Sequence, residues 1–341
     1  MFRSLSKNSI KSSSSSSSLI DESKWIPVNT PYLKPDSIKT PDDINLSKDE
    51  EIKYNEVLEY FNRDDFVVRS TEKDDIDSEK LPLFEEEKIW LSKECLLRYL
   101  RATKWKVSEA IKRIELSLGW RREFGLIPSY KNQNVEILTS DLISHENSTG
   151  KSVILGYDKT SRPILYLKNG RQNTKPSIRQ VQNLVYFLES TITFMPKNQE
   201  KIALIIDYKH YNVEGTTAKI PSLSISKQVL HILQTHYPER LGKAFFANIP
   251  YLAYSFMKIM NPFIDPITRE KIVLEEGKFT EFIDNEQLDK DYEGLLKFEY
   301  NHEQYWPALS KSIKDLKSSH FEKFKELGGS IGLSESKFKS V

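Results

Sequence analysis

The five residues Ile202-Ala203-Leu204-Ile205-Ile206 carry no polar side chain before Asp207. Neighbouring side chains of a strand point to opposite faces, so a run that is apolar at every position has both faces to bury. That excludes a surface hairpin and calls for a layered fold with cover on each side of a sheet. Further short apolar runs at 153–155, 164–167, 244–247 and 272–274 are separated by segments of helical period. Val181, Leu184, Val185 and Leu188 share one helix face, and Val229, Leu230 and Leu233 another. This alternation predicts an α/β lobe with a mostly parallel sheet. One face of Ile202–Ile206 meets helices; the other is closed by more helices or by a lipid tail, which satisfies the same physics.

Before residue 150 the signals are helical. Ser92 is placed to cap a helix carrying Cys95, Leu96, Tyr99 and Leu100. Ser108 is placed to cap another, with Ile111, Ile114 and Leu118 on one face and Gly125 past its end. The expected division is a disordered Ser-rich segment at 1–45, a helical lobe at 46–135, the α/β lobe at 136–305 and a helical extension at 306–341. The first 18 residues hold Arg3, Lys7, Lys11, seven consecutive serines and no acid. Such a segment cannot offset its ordering entropy by burial. It also resembles a mitochondrial transit peptide, although Phe2, Leu5 and Ile10 make only a weak helical face. In the extension, Ile313, Leu316, Phe321, Phe324 and Leu327 form an irregular amphipathic pattern, expected to pack on the domain.

The formal net charge of +1 gives no global pull toward nucleic acid. It conceals a net −10 block over 41–90 and a net +5 block over 91–130. Two solvated faces that pair with each other account for these blocks; the sharper reading sends some of the basic side chains to phosphate. The single cysteine, Cys95, excludes an internal disulfide and points to a reducing compartment. There is no phosphate-binding glycine loop after a strand, no Gly-x-Ser-x-Gly elbow and no His-Glu-x-x-His helix, so no enzyme activity, cofactor or metal is expected. His231 and His236, five apart on or beside one predicted helix, are expected to diverge rather than share a face, so helix-end histidines that satisfy local hydrogen bonds are the stronger reading and metal ligation with Glu239 the weaker. No apolar run approaches the roughly 20 residues that span a bilayer.

Residues 250–266 enclose Tyr251, Tyr254, Phe256, Met257, Met260, Phe263 and Ile264, with Lys258 as the only charge before Asp265. As a helix this stretch is apolar nearly all round. It is either a plain core helix or a surface for lipid. Just downstream, Thr268 and Lys271 set a hydroxyl and a cation beside it, a pairing suited to phosphate but common in solvated turns.

Five blocks in order carry a family resemblance: Leu96-Leu97-Arg98-Tyr99-Leu100-Arg101-Ala102-Thr103-Lys104-Trp105, Trp120-Arg121-Arg122, Arg162-Pro163, Tyr237-Pro238-Glu239-Arg240-Leu241-Gly242-Lys243, and Asn261-Pro262-Phe263-Ile264-Asp265-Pro266. They resemble the CRAL-TRIO lipid-binding family. Within it the sequence is most similar to fungal phosphatidylinositol-transfer proteins of the subgroup associated with pleiotropic azole resistance, through Gly170-Arg171-Gln172-Asn173-Thr174, the run at 231–241 and Gly332-Leu333-Ser334-Glu335.

The resemblance implies a helical lobe beside a sheet-floored pocket for one lipid, closed by a mobile gate made of Tyr251, Tyr254, Phe256, Met257, Met260 and Phe263. It implies that Lys104, Thr268 and Lys271 hold an inositol phosphate and Glu239 the inositol ring; Thr103 stands where an arginine can contribute. Relatives that bind phosphatidylcholine use hydroxyl and tyrosine side chains where this chain has Ile154, Leu165, Ile202 and Leu204, with Tyr166 one residue from alignment. These four and Ile206 are therefore expected to line an apolar pocket. The implied ligands are phosphatidylinositol and a more hydrophobic second lipid, a sterol, with poor phosphatidylcholine exchange. Phe256, Met257, Met260 and Phe263 are expected to insert into membranes, with Lys258 at headgroups. The implied setting is cytoplasmic, peripherally on membranes such as endoplasmic reticulum, lipid droplets or cell periphery, and the implied role is phosphoinositide and sterol homeostasis and azole tolerance. Two alternatives are an adaptor presenting phosphatidylinositol to a lipid kinase, and a lipid-metabolising enzyme with an unfamiliar site.

Overall fold

The computed structural model describes residues 22–31, 39–72, 79–216, 221–274 and 278–339. The Ser-rich run lies outside the described residues. Within 1–45, disorder does not hold for the described part: Ile26–Val28 forms strand β1, and Val28 is buried in the main core. Its partner, met at the far end of the chain, supplies the hydrogen bonds that three residues alone cannot make.

The helical lobe begins with α1 (Lys48–Phe61), whose cap Ser47 and Glu50 form a reciprocal capping box. A two-strand ribbon follows, β2 (Val68–Arg69) with β3 (Lys80–Leu81), and then α2 (Glu85–Trp90). Ser92 caps α3 (Lys93–Ala102), its Oγ accepting from the Cys95 N–H at 3.1 Å. Helix α4 (Val107–Glu123) starts two residues earlier than expected, so Lys106 is the cap and Ser108 lies inside the first turn. It ends before Gly125, whose φ of +79° is the left-handed turn a glycine adopts freely; a Cβ there would stand 2.1 Å from the Glu136 carbonyl oxygen. Val57, Phe61, Leu96, Leu100, Ile114 and Leu118 make this lobe's core. The opposed charge blocks do meet: Arg122 and Glu87, both fully buried, pair at 2.7 and 2.8 Å, and Arg122 Nη1 also donates to the Val68 carbonyl.

After α5 (Ser140–Ser144) come β4 (Ser152–Tyr157), β5 (Pro163–Lys168), α6 (Ile178–Thr193), β6 (Ile202–Asp207), α7 (Leu223–His236), β7 (Leu241–Ala247), α8 (Tyr251–Met260), α9 (Pro266–Glu270) and β8 (Ile272–Val273). The sheet order is β4-β5-β6-β7-β8, antiparallel only at β4–β5. Ile202, Ala203, Leu204 and Ile205 are buried, as an all-apolar strand requires. A short helix, α10 (Phe279–Phe282), precedes β9 (Leu296–Phe298), which pairs in parallel with β1.

Helix α11 (His302–Glu326) runs across the expected boundary at 305/306, burying Leu309, Ile313 and Phe324 while Leu327 just beyond stays exposed. The last helix, α12 (Glu335–Phe338), returns to the helical lobe. Glu335 accepts from Ser92 Oγ at 2.7 Å and stands 3.5 Å from Arg98.

Candidate ligand-binding site

A cavity of about 860 Å³ lies at the carboxyl ends of β5, β6 and β7, at the upper end of the size range of ligand pockets. Leu167, Ile206 and Phe246 form its floor, α7 contributes Val229, Leu230 and Leu233, and α8 closes it with Tyr254, Met257 and Met260. Polar groups line it on two sides: Lys151, Asn169, Gln172, Gln180, Asn183 and Tyr208 toward β4 and β5, and Ser226, Lys258, Asn261, Arg269 and Glu270 toward α7, α8 and α9.

Strand register places each expected floor residue. Leu167 and Ile206 are partners, and the row before them joins Ile154, Leu165 and Leu204. Because side chains alternate, both rows share a face. Ile206 lines the cavity. Ile154, Leu165, Ile202 and Leu204 face the same way but sit in packed core short of it, between 0% and 8% exposed. Tyr166 belongs to the opposite face, where its ring lies 5.5 Å from Tyr292.

Helix α8 stops at Met260 because Pro262 follows, and Asp265 then caps α9 with Pro266 in its first turn. Tyr254, Met257 and Met260 turn into the cavity, whereas Tyr251 (86% exposed), Ile259 and Phe263 turn outward, as does Ile267 of α9. Of the side chains expected to enter a membrane, Met257 and Met260 therefore face the cavity in this conformation and Phe263 faces out. The Phe256 side chain lies outside the described residues.

A polar cluster gathers at the opposite, amino-terminal edge of the parallel strands, where Lys201 leads into β6, Glu239 into β7 and Lys271 into β8. Glu270 and Ile272, on either side of Lys271, line the cavity. Burial lowers the Lys271 pKa; Glu239 opposes this, Lys201 and Arg162 add to it, and Asp265 opposes it. Burial raises the Asp265 carboxyl, but hydrogen bonds from Thr268 and the Lys271 charge overcome it and leave it below the usual range. Glu239, Lys201, Asp265 and Arg162 are thus the charges that act on Lys271, with Thr268 donating through its amide to Asp265 at 2.8 Å. Lys104 is exposed on the turn after α3; among the described residues no hydrogen bond or ion pair ties it to Glu239, Thr268 or Lys271. Thr103 is buried and its hydroxyl donates to the Tyr99 carbonyl at 2.9 Å. Lys104 and Glu239 both hold left-handed backbone, φ +53° and +59°. Such strain in side-chain-bearing residues concentrates at functional sites.

Residues 147–294 match the model of the CRAL/TRIO domain, and residues 53–116 match that of the CRAL/TRIO N-terminal domain. The chain belongs to the CRAL/TRIO family. It is 44% identical over 312 residues to the phosphatidylinositol transfer protein PDR17 of Saccharomyces cerevisiae, covering 90% of this chain and 85% of that one. A CRAL-TRIO domain-containing protein of Schizosaccharomyces pombe is also 44% identical over 306 residues, 89% of this chain and 28% of the longer relative. The crystal structure of Sfh5 superposes with a TM-score of 0.50 at 17% identity, covering 81% of this chain and all of that one, which shows a shared fold.

Arg121 of α4 forks onto Glu189 of α6 at 2.7 and 3.1 Å, and two further joints between this CRAL/TRIO lobe and its helical partner were not legible as motifs. Glu200 receives Arg98 at 3.1 Å and Arg101 at 2.9 Å from α3, while its carbonyl accepts from Arg240 at 3.0 Å. The other corrects the expectation for α7. His231 and His236 do not diverge: their ring centroids are 6.0 Å apart, and Glu72 of the helical lobe lies 3.1 Å from one Nε2 and 3.4 Å from the other. An offset of five residues turns the helix by about 140°, but His236 is the last residue of α7 and its ring folds back over Trp120 at 4.2 Å. Burial, with His231, Arg121 and Arg113 adding to it, lowers the His236 pKa to about 3 and leaves the imidazole neutral at neutral pH.

Proposed function

We propose that this protein takes single lipids from membranes into its cavity and transfers them, with phosphatidylinositol as one ligand and a sterol as the second. The observation that carries the reading is an apolar cavity whose wall at Glu270 and Ile272 adjoins the cations around Lys271. Acyl chains or a fused-ring body fill the first. A phosphodiester suits ammonium and hydroxyl donors, and the Glu239 carboxylate suits ring hydroxyls. The relative named for phosphatidylinositol transfer supports that ligand. Phosphatidylcholine is expected to be a poor substrate, because Ile154, Leu165, Ile202 and Leu204, where the resemblance places the choline-binding hydroxyl and tyrosine side chains, are apolar and packed away from the cavity.

No bond is made or broken. At the bilayer α8 swings outward, one lipid leaves, another enters, and closure restores a sealed particle; this requires the membrane to bind the open state preferentially. The protein works from the cytoplasm at membrane surfaces, supporting phosphoinositide and sterol balance and, through the latter, azole tolerance.

Mass spectrometry of co-purified lipids, followed by transfer between vesicles, tests the reading. A hydrogen bond to a charged group is worth about 1.5–3 kcal/mol. Lys271→Ala is therefore expected to lower inositol-lipid transfer roughly 10- to 100-fold while sterol binding persists. Equal loss of both ligands makes Lys271 structural, and abundant phosphatidylcholine in the purified protein overturns the selectivity.

A further inference from the structure

The Glu72–His231–His236 cluster lies at the end of α7, where the helix meets the helical lobe, and the lipid reading leaves it without a task. We propose that these three residues form a zinc site that fastens α7 to the helical lobe.

The donor set is two imidazoles and one carboxylate, nitrogen and oxygen ligands suited to zinc rather than to the all-oxygen shells of calcium or magnesium. One ligand atom from each of the three lies within 4.8 Å of the others. A tetrahedral zinc with bonds of roughly 2.0–2.2 Å separates its ligands by about 3.3 Å. Glu72 Oε1 already stands 3.1 Å from His231 Nε2 and 3.4 Å from His236 Nε2.

The second observation is an orphaned nitrogen. The His236 side chain is 1% exposed, and its Nε2, facing Glu72, has no hydrogen-bond partner among the described residues. Buried polar atoms are seldom left so, and a simple ion pair of Glu72 with His231 does not account for it. The other half of the ring is fixed as metal-bound histidines are. Its Nδ1 meets Ser117 Oγ at 3.0 Å, Tyr99 OH meets the same Ser117 Oγ at 2.8 Å, and Trp120 stacks on the ring with planes 4° apart. His231, 59% exposed, leaves an approach from solvent and room for water as a fourth ligand. The consequence reaches the ligand, since Val229, Leu230 and Leu233 of the same helix wall the cavity.

The test titrates zinc chloride into chelator-treated full-length protein by equilibrium dialysis with elemental analysis, alongside hydrogen exchange over 223–236. The native chain is expected to bind one zinc, with slowed exchange at the end of α7. Glu72→Gln and His231→Asn, both at side chains that reach solvent, are each expected to weaken binding at least tenfold and to remove the protection. No zinc bound by the native chain, or undiminished binding in both variants, overturns the site.

Discussion

His320 shows how one side chain ties stability to pH. It is 6% exposed, packed edge-on against Phe338, with Lys339 and Glu335 as the charges that face it. Burial, then Lys339, lowers its pKa from 6.5 to about 4 against the opposing pull of Glu335. Between those values the unfolded chain binds a proton that the folded chain refuses, so stability falls as pH drops from about 6.5 toward 4. Melting temperatures at neutral pH and at pH 4.5 should therefore differ less in His320→Gln than in the native chain; parallel curves would assign the loss to other groups. Single residues also mark where sequence reading stops. Glu239 was reached as a headgroup residue only through the family resemblance and Lys271 only as part of a pairing common in solvated turns, and the left-handed turn that carries Glu239 has no signature in its side chain. Glu72 sits beside the histidines only because the ribbon of β2 and β3 brings a distant loop there.

At the scale of elements, if the protein meets membranes through α8 as proposed, the outward side of that helix is the place to perturb the contact without touching the cavity. Ile259 is 57% exposed and makes no part of the cavity wall. Burying such a side chain is worth about 1.5–3 kcal/mol, so Ile259→Asp is expected to weaken vesicle binding roughly tenfold or more with unchanged melting temperature. Unchanged vesicle binding would move the membrane contact elsewhere. The five strands of the main sheet and the helices between them were legible because periods of 2 and 3.6 are local properties of the chain. Which row of the sheet lines the cavity was not. Leu204 and Ile206 share a face and a chemistry, and only the positions of α7 and α8 above them decide which one meets the space. Strand β1 was missed for a related reason, since three residues including Pro27 carry no period.

For the whole molecule, Glu200 is the joint that matters most. It lies between the arginines of α3 and the edge of the main sheet, and Arg98 also reaches Glu335 of the terminal helix. Breaking a buried pair by removing one partner costs about 3–5 kcal/mol. Glu200→Ala should lower stability by that order in denaturant titration; a loss under 1 kcal/mol would show that Arg98 re-pairs with Glu335. A joint so placed resists hinging between the lobes.

The two ends of the chain also cross, with the last helix on the helical lobe and the first strand on the α/β lobe. That crossing sets an order of events during synthesis. Ile26–Val28 leaves the ribosome about 270 residues before Leu296–Phe298, a wait on the order of 15–55 s at ~5–20 residues per second. The helical core is complete long before then, once α4 has emerged. Strand β1, the first strand made among the described residues, is thus among the last of them to be seated.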